Sequence, residues 1–180
     1  MTSLRVSAPA SPARTGVWIG IATITMSFTA YTSALVVRQG SGGDWQHFQL
    51  PPILFANTVV LLASSGTLEL GRRRAAVAGW LRLTLGLGLL FIVGQVLAWR
   101  DLAAQGLYLA TNPSSAFFYV FTALHALHLL GGVVALVYVL GRMRRAAGVV
   151  PVPALGAAAL YWHFMTVLWL YLLLVLALRL

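Results

Sequence analysis

Five apolar runs account for nearly all of this 180-residue chain: about Val17 to Val37, Ile53 to Leu70, Val77 to Trp99, Ser115 to Leu140 and Pro153 to Leu178. As a helix, each is long enough to cross a hydrocarbon core of roughly 30 Å. With 60% hydrophobic residues, 8% charged residues and a mean hydropathy of +0.88, the chain leaves little over for an extramembrane domain. The expected fold class is all-α, a polytopic membrane bundle of five transmembrane helices at residues 16–180, preceded by a flexible cytoplasmic tail at residues 1–15. The first run is longer than the apolar part of a signal peptide and is read as a retained helix. Pro51 and Pro52 suit the entry to the second, because the first turn of a helix has spare backbone donors.

Arginine placement tests that count independently, since cytoplasmic loops collect basic residues and translocated loops do not. With the N-terminus inside, the inner side holds Arg5, Arg14, Arg72, Arg73, Arg74, Arg82, Arg142, Arg144 and Arg145. The outer side holds only Arg38, Arg100 and Arg179. This asymmetry predicts five crossings with the C-terminus outside. It also accounts for the formal charge of +9 as topology control and contact with anionic lipid, not nucleic-acid binding. The absence of cysteine excludes disulfides, thiolate metal sites and a thiol nucleophile. The longer outer loop, Gln39 to Leu50, carries Trp45 and His47, and with Trp99 and Tyr108 it marks an outer aromatic belt.

Within the spans, polar residues stand out because each is costly in lipid unless it meets a partner. His125 and His128 lie three residues apart in the fourth run, on one helix face, and His163 lies in the fifth within Tyr161, Trp162, His163 and Phe164. A membrane haem site needs imidazoles from facing helices at matched depth, so His125 or His128 could pair with His163. A structural role, donating to carbonyls or hydroxyls and tying helices together, is the commoner use of such histidines. Thr25, Thr29, Thr32 and Ser33 make a hydroxyl stripe in the first helix; Asn57 and Ser64 share one face of the second, as do Thr58 and Ser65. Gly86 and Gly94 in the third helix, and Gly131 with Ala135 in the fourth, offer small surfaces for close approach. Glu69 stands at helical spacing from Arg72 and Arg73, the pattern of an end-of-helix ion pair. No internal repeat of the kind that pairs transporter halves is visible.

Taken together, these phrases resemble subunit III of the haem-copper oxidases, the cytochrome c oxidase and quinol oxidase family, in its shorter five-helix form. Leu124 to Leu129 with Gly131 and Gly132 are similar to the histidine phrase of that family's penultimate helix. Tyr161, Trp162, His163, Phe164, Val167 and Trp169 resemble the phrase of its last helix. Asn57, Thr58, Leu61, Leu62, Ser64 and Ser65 look like its asparagine–threonine segment, and Gly16, Trp18 and Ala22 match a weaker pattern in the first span. The departures fall on acids: Ile24, Pro52, Gly156 and Thr166 stand where family members often carry carboxylates.

The resemblance implies a non-redox accessory subunit of a respiratory terminal oxidase in the bacterial cytoplasmic membrane, a multi-pass protein packed against catalytic subunit I and other oxidase subunits. Haem and copper are then expected in the partner subunits and none in this chain, with membrane lipids bound in helical clefts. Support of proton uptake is implied as well, although the missing acids weaken any part that depends on carboxylates. His125, His128, Tyr161, Trp162, His163, Trp169, Asn57, Ser64 and Ser65 are expected to serve helix and subunit packing. An accessory subunit of a nitric oxide reductase or quinol oxidase, and a small membrane haem-binding anchor, are the alternatives.

Overall fold

The computed structural model describes residues 12–74 and 76–180, and in them five helices run in alternating directions. They are α1 (Pro12–Ser41), α2 (Ile53–Arg73), α3 (Val77–Ala104), α4 (Pro113–Arg145) and α5 (Val152–Arg179). All five are long and apolar enough to cross a membrane. Each contains its expected run and extends beyond it. Within the described residues α1 spans Pro12–Ser41, so the part of the expected tail from 12 to 15 is helical. The remainder of that tail lies outside the described residues. α2 and α4 continue through their terminal arginines, whose long side chains can reach polar surroundings from a helix end.

Capping explains several of these ends. Asn112 accepts the amide of Ser115 at 2.7 Å, and Pro113 occupies the first turn of α4. At the other end of α4, the Gly148 amide donates to the Met143 carbonyl at 2.8 Å, closing the helix as Gly148 takes φ +90°.

The bundle is organised around α5, which packs against α1, α2 and α4 and holds the consecutive helices α1 and α2 apart. α3 packs on α2 and α4. Core positions recur every seventh residue: Phe28 and Leu35 in α1, Leu54, Leu61 and Leu68 in α2, and Trp162, Trp169 and Leu176 in α5 are all buried. That spacing is the one that keeps a seam facing its neighbour along a gently supercoiled pair. On α3 the outward residues Leu83, Leu89, Leu90, Val93, Val96 and Leu97 are exposed and wholly aliphatic, a surface suited to acyl chains.

The loop between α1 and α2 closes one end. Trp45 Nε1 donates to the Arg179 carbonyl at 3.1 Å, and the Phe48 amide to the Leu180 carbonyl at 3.0 Å. Ser114 at the start of α4 donates to the Gln46 carbonyl at 2.6 Å. Orphan carbonyls at the end of a helix need such partners. Here the loop supplies them.

Candidate functional site

The polar residues inside the spans converge on the faces where α5 meets its neighbours. Trp162 is fully buried, and its Nε1 donates to Ser64 Oγ at 3.1 Å. Ser64 in turn donates to the Thr84 carbonyl at 3.1 Å, so one chain of hydrogen bonds crosses α5, α2 and α3. One helical turn pair away, Trp169 Nε1 donates to Thr58 Oγ1 at 2.9 Å, and Thr58 donates to the Leu54 carbonyl at 2.8 Å. Trp99 repeats the device between α3 and α4, donating to Thr122 Oγ1 at 2.9 Å. An indole has one donor and no acceptor, so a hydroxyl that passes its own proton to a carbonyl satisfies it completely. Net, each such bond contributes about 1 kcal/mol, but leaving the donor unpaired in lipid costs more.

Small residues make room for these rings. A Cβ on Gly88 would stand 2.6 Å from Trp162 Cη2, and one on Gly132 would stand 3.1 Å from its Cε3. Gly94 receives the Asn57 amide group, whose Nδ2 donates to the Phe91 carbonyl at 3.2 Å. The expectation for Gly94 is therefore met. Gly86 has open space around it and takes no part in packing. The reason lies in register: the buried stripe of α3 runs Leu81, Thr84, Gly88, Phe91, Gln95 and Ala98, alternating steps of three and four, and Gly86 falls off it. Gly88, which the sequence reading passed over, lies on that stripe, and Gly132, named there only as part of the family phrase, makes the matching space on α4.

The three histidines of the spans take separate places. His125 is fully buried between rings, 5.1 Å from the Trp169 ring and 5.8 Å from the Phe91 ring. Neither its ring nitrogens nor the amide atoms of buried Gln95 have a hydrogen-bond partner among the described residues. His128 donates from Nδ1 to the Leu124 carbonyl at 2.7 Å, since a carbonyl can only accept, and its ring meets Phe28 of α1 edge-on. The His128 carbonyl accepts from the Tyr161 hydroxyl at 3.0 Å, joining α4 to α5. His163 is held at Nδ1 by Ser65 Oγ, 2.5 Å away on α2.

His125 meets α5 at Trp169, six residues beyond His163, a separation of about 9 Å along the helix axis. The His125 and His163 imidazoles are therefore offset along the bundle. Ser65, His163 and Glu69 follow the order hydroxyl, imidazole, carboxylate. Glu69 Oε2 is nonetheless 3.8 Å from Nε2, beyond hydrogen-bond reach. Its oxygens are instead taken up by Arg72 at 3.0 Å and Arg73 at 2.8 Å, the expected end-of-helix pairs. Exposed pairs of this kind contribute roughly 0.3 to 0.5 kcal/mol each. Among the described residues, no three of His, Cys, Asp and Glu cluster closely enough to hold a metal ion.

The hydroxyl stripe of α1 is satisfied mostly within its own helix. Thr25, Thr29 and Thr32 each donate to the carbonyl four residues back in their own helix. Only Thr32 also reaches across, accepting from the Tyr171 hydroxyl at 2.8 Å. Trp45 and Trp99 of the aromatic belt are part of hydrogen-bonded joints at the end opposite the arginine clusters, while Tyr108 is exposed there. Among the described residues, these polar groups join helices to one another.

Comparison with known proteins places this architecture. The family described as cytochrome c oxidase subunit III matches residues 18–178. A relative named probable cytochrome c oxidase subunit 3 from Mycobacterium tuberculosis is 31% identical over 160 residues, covering 79% of this chain and 74% of the relative. The cytochrome c oxidase subunit 3 of Corynebacterium diphtheriae is 32% identical, covering 81% and 73%. That of Synechocystis is 28% identical, covering 89% and 68%.

Proposed function

Given that the chain belongs to the cytochrome c oxidase subunit III family, and is thus the non-catalytic accessory subunit of an oxidoreductase complex, we propose that it acts as a rigid helical buttress for the catalytic subunit. It is a multi-pass membrane protein. The observation that carries the buttress reading is the three-helix chain from Trp162 through Ser64 to the Thr84 carbonyl, in which the polar groups of the spans are spent on joining helices. Haem and copper then belong to the partner subunits, catalytic subunit I foremost.

The arginines support an orientation with the N-terminal side of the bundle in the cytoplasm, in a bacterial inner membrane. Arg72, Arg73, Arg142, Arg144 and Arg145 gather at one end of the bundle, and Arg38, Arg100 and Arg179 at the other. An open apolar groove of about 340 Å³, lined by Gly131, Ala135, Tyr138, Ala157 and Tyr161, suits a lipid chain. With Ile24, Pro52, Gly156 and Thr166 in place of acids, support of proton uptake would rest on structural integrity and not on a carboxylate relay within the spans.

The test is to purify the oxidase complex, strip this subunit with stronger detergent, and record visible spectra of both fractions. The haem bands stay with the remaining subunits, and the stripped enzyme loses activity faster during turnover. A haem band travelling with the isolated chain overturns the reading.

A further inference from the structure

Two buried polar side chains take no part in the hydrogen-bonded joints between helices. Gln95 on α3 is 1% exposed and His125 on α4 is fully buried. None of their four polar side-chain atoms meets a hydrogen-bond partner among the described residues. Hydrocarbon offers such groups nothing in place of a partner, so they must find one inside the bundle.

The register of α3 against α4 sets the two residues at one level. Trp99 of α3 donates to Thr122 of α4 at 2.9 Å, and the Phe91 ring lies 5.8 Å from the His125 ring. Gln95 stands about one helical turn from each of Phe91 and Trp99 on the buried stripe of α3, so it falls between these two contacts. Thr122 and His125 bound the same interval on α4.

The polar side chains around this interval are already committed. Thr122 accepts from Trp99 and donates to the Phe118 carbonyl at 2.7 Å. Trp169, whose ring lies 5.1 Å from that of His125, donates to Thr58, and Thr58 donates to the Leu54 carbonyl. The Phe91 carbonyl takes the Asn57 amide at 3.2 Å. Small side chains share the interval, since Ala98 on α3 and Ala126 on α4 are both buried beside the pair.

We propose that the interval between Gln95 and His125 is a binding site for water, with at least one molecule bridging the two side chains and joining α3 to α4. A neutral imidazole carries one donor and one acceptor, and a carboxamide carries both kinds. A direct bond between them would use one atom of each and leave the other two orphaned. Water donates and accepts, and a buried molecule typically makes about three hydrogen bonds to groups that the protein leaves unpaired. The site lies wholly inside this chain and does not rest on the buttress reading.

Electron cryomicroscopy of the intact oxidase complex, at a resolution that shows ordered solvent, tests this on the wild-type protein. A solvent peak is expected within about 3.2 Å of a polar atom of Gln95 and of one of His125. Gln95→Met, which keeps the length of the side chain and removes the carboxamide, should lose the bridging peak while solvent elsewhere in the subunit stays. The wild-type map is decisive even if that variant fails to assemble. A direct carboxamide–imidazole contact with no solvent peak beside it, both side chains turned onto other protein partners, or a peak unchanged in Gln95→Met would overturn the proposal.

Discussion

Trp162 and Gly88 are matched in shape: the indole of one occupies the space that a side chain on the other would need, 2.6 Å from an added Cβ. The same ring also hands its proton to Ser64, so it cannot move aside without breaking the chain across three helices. Gly88→Ala should therefore destabilise the subunit by roughly 1 to 3 kcal/mol, as overpacking of a filled core does. Gly86→Ala, in open space two residues earlier, should stay within about 0.5 kcal/mol. Thermal release of this subunit from the purified complex measures both; equal effects would refute the fit.

Asn57 and Gly94 should behave as a coupled pair, because the amide group of one lies where a Cβ on the other would stand. Gly94→Ala alone is expected to be costly, and Asn57→Ala alone to lose the bond to the Phe91 carbonyl. Combined, they should cost less than their sum by about 0.5 to 3 kcal/mol, the range for residues in contact. A double-mutant cycle in the same thermal assay checks this, and strict additivity would show that the close approach has no energetic weight.

Ser65→Ala should loosen α2 from α5 by about 1 kcal/mol by removing the partner of His163. The haem spectrum of the complex should not change in this variant or in His163→Ala. Glu69→Gln, which disturbs only exposed pairs, should have the smaller effect on subunit retention. A shifted haem band in either of the first two variants would point to a ligand role.

In the loop between α1 and α2, Arg38 donates hydrogen bonds to both oxygens of Asp44, at 2.7 and 2.6 Å, and holds its carboxyl below the usual carboxylate range. A carboxyl whose pKa is lower in the folded state stabilises that state above its ordinary pKa, and this contribution fades as pH falls through the lowered value. The hydrogen-exchange protection factors of loop residues 42–50, corrected for the intrinsic pH dependence of exchange, should fall as the solution is acidified through that range. Asp44→Asn should already show the lower protection at neutral pH. Identical acid profiles for the two proteins would contradict the role given to this pair.

Much of the bundle was legible in the sequence because membranes leave few choices: run length set the helices, and arginine bias agreed with the number of crossings. The residues that matter most for packing were visible as types, since Asn57, Ser64, Ser65, Trp162 and His163 are polar or bulky groups in apolar runs. Their partners were not. Which glycine receives Trp162 depends on a shift of two residues along α3, and Gly86 and Gly88 look alike until a neighbouring helix selects one of them. The threonines of α1 misled for a related reason: a hydroxyl can satisfy itself on its own helix, so a stripe of them need not announce a partner. Gln95 gave no signal beyond its polarity, although it lies buried on the stripe that faces the core.

The grip of the first loop on the carbonyls of Arg179 and Leu180 bears on how the protein comes into being. A segment made early is locked by one made late, so α1 and its loop leave the ribosome long before their anchor exists. α2 and α3 can pair as soon as both are inserted, whereas among the described residues α1 packs only on α4 and α5 and waits for them. The first loop thus finds its anchor only once α5 is in place.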